Sequence, residues 1–234
     1  MRCRYVALFV TALGIAMAAS NHIPTVNSWA DYRAMLKSMG RSDADIDAQV
    51  ARMLAALKTM DRTAGSDRIG VAAPPFQIDE WLNSKPLSIE DLRGHVVLLR
   101  WWTDTCPLCA STAPALRKLD EQYSAKGLKV IGVFHPKAGR NDPMDVARVQ
   151  RAVHARQLTF PIAIDWEWRT LNSWWLTGPS RPATSVTFLL DTKGIIRFVH
   201  PGMEYHDSNG SEEHAACAND MAAIRAAIDR LISE

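Results

Sequence analysis

Two cysteines held two residues apart, Cys106-Pro107-Leu108-Cys109, end the block that starts Trp101-Trp102-Thr103-Asp104-Thr105. A pair at this spacing either cycles between dithiol and disulfide or supplies half of a zinc site. The metal use needs a second ligand pair, and the chain has no other C-x-x-C. Redox chemistry is therefore the expected use. The surroundings sharpen it. The run His95-Val96-Val97-Leu98-Leu99 before the pair reads as a buried strand, and Ala110 to Tyr123 after it reads as a helix containing Pro114. Cys106 then stands at or just before the first helical turn. Free N–H groups and the helix dipole there favour a thiolate, the form of cysteine that attacks disulfides. Pro107 suits the first helical position, where no N–H bond is lost, and Leu108 keeps the surroundings apolar.

The elements that must position this pair follow from an alternating pattern after Phe76. Val96–Trp101 predicts a central strand, Cys106–Ser124 a helix, Leu128–His135 a strand, Val146–Arg156 a helix and Phe160–Ile164 a short extended piece. Val186–Leu190 and Ile195–Val199 flank Asp191-Thr192-Lys193-Gly194, a hairpin signal. A last helix aligns Cys217, Met221, Ile224, Ile228 and Leu231 on one stripe. A βαβ unit followed by a hairpin and a helix predicts an α/β fold, a mixed sheet covered on both faces. Residues 28–60 predict a helical hairpin. Trp29, Tyr32, Leu36 and Met39 form one stripe ended by Gly40, and Ser42-Asp43-Ala44-Asp45 caps a second, through Ile46, Val50, Met53, Leu57 and Met60. So small a hairpin must pack on the main domain or on a second copy, and oligomerisation through 28–60 is one expectation. Asp61 to Pro75 reads as the linker.

Arg2 and Arg4 precede the apolar run Val6 to Ala19, and Ala16-Met17-Ala18 offers a cleavage site, the layout of a signal peptide. An uncleaved N-terminal anchor is the other reading. The expected division is a leader over 1–20, the hairpin and linker over 21–68, and the main domain over 69–234. Export to the periplasm or another extracytoplasmic space sets a context in which disulfides persist. The whole chain carries +2; without Arg2 and Arg4, 25 basic face 25 acidic side chains, which excludes a strongly basic nucleic-acid binder.

Leu98-Leu99-Arg100-Trp101-Trp102 leading into the cysteines, then Pro114, then Gly127-Leu128-Lys129-Val130-Ile131-Gly132-Val133, resembles the thioredoxin fold of the TlpA-like exported thiol–disulfide oxidoreductases of the redoxin superfamily. The stretch from Glu80 to Gly94 is similar to the start of the thioredoxin-like domain at the C-terminus of DipZ-type membrane proteins. The similarity runs from about Ile69 to Ile232. The resemblance implies exported thiol or disulfide proteins as partners, a membrane electron donor of the DsbD/CcdA type, no cofactor, and reduction of partner disulfides rather than their oxidation.

The chain departs from that pattern in three places. Arg100 stands where thioredoxins keep a buried carboxylate. Turned toward the pair it favours thiolate and a more oxidising disulfide; turned away it reaches solvent or an acid. Where the fold keeps a cis-proline facing the cysteines, an ungapped count puts Ser185, and Pro182 fits only with a three-residue insertion. Asp207 to Asn219 reads as an insertion carrying Cys217, which is a buried thiol, a third redox cysteine or one end of an intermolecular bridge. His206, His214 and Cys217 lack a fourth metal ligand. His135 and His200 end predicted strands, and Trp102 abuts the pair. Some of Trp101, Trp102, Trp166, Trp168, Trp174 and Trp175 must be core, leaving one or two for a docking groove.

The mechanism these readings predict is attack by the Cys106 thiolate on a partner disulfide, then resolution of the mixed disulfide by Cys109. A peroxiredoxin is the rival enzyme class; Thr103 matches its motif, but Leu99 replaces the required proline and Ser185 the required arginine. A copper-delivery protein using both thiolates and His200 is the non-enzymatic rival.

Overall fold

The computed structural model describes residues 23–137, 143–207, 210 and 214–234. The expected leader, with Cys3, lies outside the described residues. Six strands form one sheet: β1 (Glu80–Leu82), β2 (Val96–Trp102), β3 (Leu128–Phe134), β4 (Ile162–Ile164), β5 (Thr187–Leu190) and β6 (Ile196–His200). Their order is β1-β4-β3-β2-β5-β6, with β2, β3 and β4 parallel and the other pairs antiparallel. The βαβ unit and hairpin read from the sequence are therefore both present.

All seven residues of β2 are buried, as suits a central strand covered on both faces. Alternation sorts them. Val96, Leu98 and Trp102 join Leu116 and Leu119 of α3 (Pro107–Tyr123), Val149 and Ala152 of α4 (Val146–Ala155), and Ile224 and Ile228 of α6 (Ala215–Ser233). Val97, Leu99 and Trp101 pack instead with Ile89, Leu92, Trp174 and Trp175. The cover on that second side includes α5 (Arg169–Leu171), one helical turn running into a π-turn, Asn172–Leu176. No periodicity announces so short an element; its signal is the bulk of its indoles. Gly132 of β3 has a packing reason, because a Cβ there would meet the Ile162 side chain at 2.8 Å and the Trp102 ring nitrogen at 3.0 Å.

The hairpin forms as α1 (Trp29–Ser38) and α2 (Asp43–Thr59). Ser28 Oγ accepts from the Asp31 N–H and Ser42 Oγ from the Asp45 N–H, and Gly40 takes φ +81° between the helices. Val26, Tyr32, Met35, Leu36, Ile46 and Val50 make a small core of their own. Trp29, Met53 and Leu57 pack onto the main core. The hairpin thus covers its apolar face with its own chain. One boundary is corrected: α6 begins at Ala215, so Cys217 lies in its first turn rather than in an insertion reaching Asn219. Ala215 and Ala216 are strong helix formers and extend the helix backward.

Candidate active site

Strand β2 delivers the chain through Thr103-Asp104-Thr105 to Cys106, which is extended (φ −114°, ψ 119°) and caps α3, with Pro107 at the first helical position. This is the C-terminal end of the parallel strands, where α/β sheets place their working loops. Both thiols are free and buried, Cys106 at 8% exposure and Cys109 at 4%. They open onto a cavity of about 460 Å³. Its walls include Pro182 to Ser185, Met203 and Lys137, and, from the hairpin, Tyr32, Gln49, Arg52, Met53 and Ala56. Ser185 and Pro182 therefore both face the cavity. Ser185 directly precedes Val186, whose carbonyl accepts from the Trp101 N–H at 2.9 Å, and no peptide is cis among the described residues.

Arg100 fits neither alternative for a side chain turned away. It is 1% exposed, and it bonds no acid among the described residues. Its guanidinium donates to the carbonyls of Ser185 (2.7 Å) and Met203 (2.6 Å) and to Thr187 Oγ1 (3.3 Å), and lies over the Tyr205 ring at 5.2 Å. A second buried cation was not foreseen. Arg156 donates to the carbonyls of Thr103 (3.2 Å), Val26 (2.8 Å) and Asp104 (2.9 Å), and stacks on Trp102 at 5.0 Å. The signal for it exists in the sequence, since Val149, Ala152, Val153 and Arg156 share one helical face that is otherwise apolar. Asp104, whose carbonyl Arg156 holds, takes a bidentate bond from Arg148 on its side chain, 2.5 and 2.7 Å, both side chains being fully buried.

Two guanidinium groups, held by carbonyls, rings and, for Arg100, the Thr187 hydroxyl, place buried positive charge near the cysteines. The two thiols share a proton. A thiolate on Cys109 is lowered to about 5, first by the hydrogen bond from Cys106, then by the Arg100 charge, a backbone bond from Thr103 and the Arg156 charge. The proton retained on Cys106 is correspondingly held well above the ordinary thiol range by its bond to Cys109 and by burial. In such a dyad the titration belongs to the pair rather than to either thiol.

The other candidates fall away from this centre. His200 Nε2 faces Asp220 at 3.2 Å, and His200 does not line the cavity with the thiols, so the copper constellation is not assembled. The reason is that β6 lies at the sheet edge, with β5 between it and β2. His135 is buried and lowered to about 4 by desolvation, which keeps it neutral. Trp101, Trp174 and Trp175 are core, and no tryptophan lines the cavity. Trp102 acts from below, as the ring under Arg156.

A thioredoxin-type sheet presenting a C-x-x-C dithiol at a helix N-terminus defines a redoxin. The chain belongs to the AhpC/TSA family, whose model matches residues 69–199. It is 30% identical to the thiol-disulfide oxidoreductase ResA of Bacillus anthracis over 129 residues, 55% of this chain and 67% of ResA. It is 28% identical to the protein DipZ of Mycobacterium tuberculosis over 187 residues, 74% of this chain but only 25% of DipZ. Among solved structures it is similar to a thiol-disulfide isomerase from Corynebacterium glutamicum, with a TM-score of 0.53 and 26% identity over 69% of this chain and 97% of that one. The chain is thus a thioredoxin-fold member of the thiol–disulfide oxidoreductases.

Proposed function

We propose that this chain is an exported protein-disulfide reductase whose electrons pass through Cys106 and Cys109. The observation that carries the reading is the dithiol at the α3 N-terminus beside two buried arginines that bond no carboxylate. The Cys106 thiolate attacks one sulfur of a partner disulfide. That S–S bond breaks, the leaving sulfur takes a proton, and a mixed disulfide forms. Cys109, as thiolate beside Arg100 and Arg156, then attacks Cys106 Sγ. The mixed disulfide breaks, the Cys106–Cys109 disulfide forms, and the partner leaves with two electrons and two protons more than it brought. A membrane electron donor of the DsbD/CcdA type resets the pair. Arg100, Trp102, Pro107 and Ser185 tune this exchange: charge, support for Arg156, helix start, and the backbone carbonyl that fixes Arg100.

Export rests on Arg2, Arg4 and the apolar run Val6 to Ala19. The hairpin gives the site its selectivity, since Tyr32, Gln49, Arg52 and Met53 wall the cavity and admit an extended segment more readily than a folded surface. The test is the Cys109→Ser variant with a disulfide-bearing exported protein. It should accumulate a mixed disulfide through Cys106 and stop turning over. Normal turnover by that variant would remove Cys109 from the resolving role.

A further inference from the structure

A second cluster lies on the other side of Arg100, where the chain leaves β6 and returns as α6. Glu204, His206, His214 and Cys217 bring one ligand atom each within 4.8 Å of one another. His206 Nε2 is 3.1 Å from His214 Nδ1 and 3.3 Å from Glu204 Oε1. We propose that these four side chains form a zinc site, distinct from the redox pair, that ties the segment after β6 to the first turn of α6.

Three observations carry it. The first is the donor set, one thiolate, two imidazoles and one carboxylate, all ordinary ligands of four-coordinate zinc. With zinc bonds of about 2.0–2.3 Å, tetrahedral ligands stand about 3.3–3.8 Å apart. The His206 contacts are already that short, and the rest need side-chain movements of about 1 Å.

The second is the orientation of His206. Its Nδ1 lies 2.7 Å from the Asp207 carbonyl, which only accepts, so Nδ1 carries a proton. Its Nε2 points the other way, 3.3 Å from the Glu204 carboxylate and 3.1 Å from His214 Nδ1, where three ligand atoms converge. An Nδ1–H to carbonyl bond is the usual way a ligating imidazole is oriented, with Nε2 turned to the metal. The supporting carbonyl is itself held, because the Asp207 carboxylate is bound by Lys118 of α3 and Arg225 of α6.

The third is burial. The Glu204 side chain is 4% exposed and its charge meets no lysine or arginine among the described residues. Buried carboxylates without a cation are costly. Cys217, also buried, brings a free thiol to the cluster. Zinc binding exchanges that S–H for a Zn–S bond and releases one proton to solvent. Met203 and Tyr205 flank Glu204 in the chain; the Met203 carbonyl takes Arg100 and the Tyr205 ring lies under it, so the ion would also stiffen the strap that fixes Arg100.

The experiment uses the full chain with Cys106→Ser and Cys109→Ser, which removes the competing thiol pair. Zinc is titrated against a chromophoric chelator, and cobalt(II) replaces it as a spectroscopic probe. One equivalent should bind, the cobalt form should show a thiolate charge-transfer band, and Cys217→Ser should abolish that band and weaken zinc by at least ~10-fold. Glu204→Gln should weaken it in the same direction. Absence of saturable one-equivalent binding overturns the site, as does binding undiminished by Cys217→Ser. Should the added substitutions prevent folding, the parent double variant still decides: zinc must raise its Tm, and an unchanged Tm overturns the proposal.

Discussion

The two cysteine regions of this chain are built from the same materials to opposite effect. Cys106, Cys109 and Cys217 are all buried, each at or near the start of a helix, yet the buried charge favours a thiolate in one region and a thiol in the other. Arg100 and Arg156 face the first with no carboxylate bonded to either, and a thiolate there is lowered to about 5. Burial, Glu204 and Asp220 surround the second and raise its thiol to about 11. A helix N-terminus alone therefore does not make a reactive cysteine; the sign of the buried charge around it decides.

The contrast can be broken from either side. Largest is Cys106→Ser, which should abolish disulfide exchange completely, read as loss of partner-disulfide reduction, while Cys217 does not substitute for it. Next is Asp104→Asn. It removes the bidentate carboxylate from the buried Arg148 cation and should cost on the order of 3–5 kcal/mol of stability, measured by denaturant unfolding. Smaller is Arg100→Met, which takes away one of the two free cations. The thiol pKa read from alkylation rates against pH should rise by about 1–3 units, and the disulfide should become more reducing by about 30 mV per unit. An unchanged profile would assign Arg100 to scaffolding alone. Smallest is the pH dependence of stability. Because the folded Cys109 thiolate lies below the unfolded thiol value of about 8.5, its contribution is lost as pH falls through about 5, and above about 8.5 the raised Cys106 thiol works against it. The reduced protein should gain stability over Cys106→Ser/Cys109→Ser between those limits, read from Tm against pH.

Much of this was legible in order along the chain. The β2–Cys106–α3 junction, the Asp191 to Gly194 hairpin and the α6 stripe follow from local periodicity and turn chemistry, which act over a few residues. Arg100 was visible as an oddity, a charge in an apolar strand, but its direction depended on carbonyls of Ser185 and Met203, 85 and 103 residues away. Arg156 and Arg148 had the same character, charges on the buried face of α4, and only the fold shows which acid or thiol each serves. Glu204 was overlooked as a ligand because nothing in its neighbourhood marks it; α6 must begin at Ala215 before Cys217 and His214 come to meet it. The docking of the hairpin over the cavity rests on Val26 pairing with Asp104 and Arg156, a contact between segments far apart that no local pattern encodes.

The most direct test of the central claim is the reduction potential of the Cys106–Cys109 pair, set by thiol buffers and read from tryptophan fluorescence. Thioredoxin, whose thiol pKa is about 7, stands near −270 mV. A thiolate stabilised by Arg100 and Arg156 predicts a potential less negative than that. A value at or below about −270 mV would contradict the account, because two buried arginines that stabilise the thiolate cannot leave the reduced form no better off than thioredoxin's.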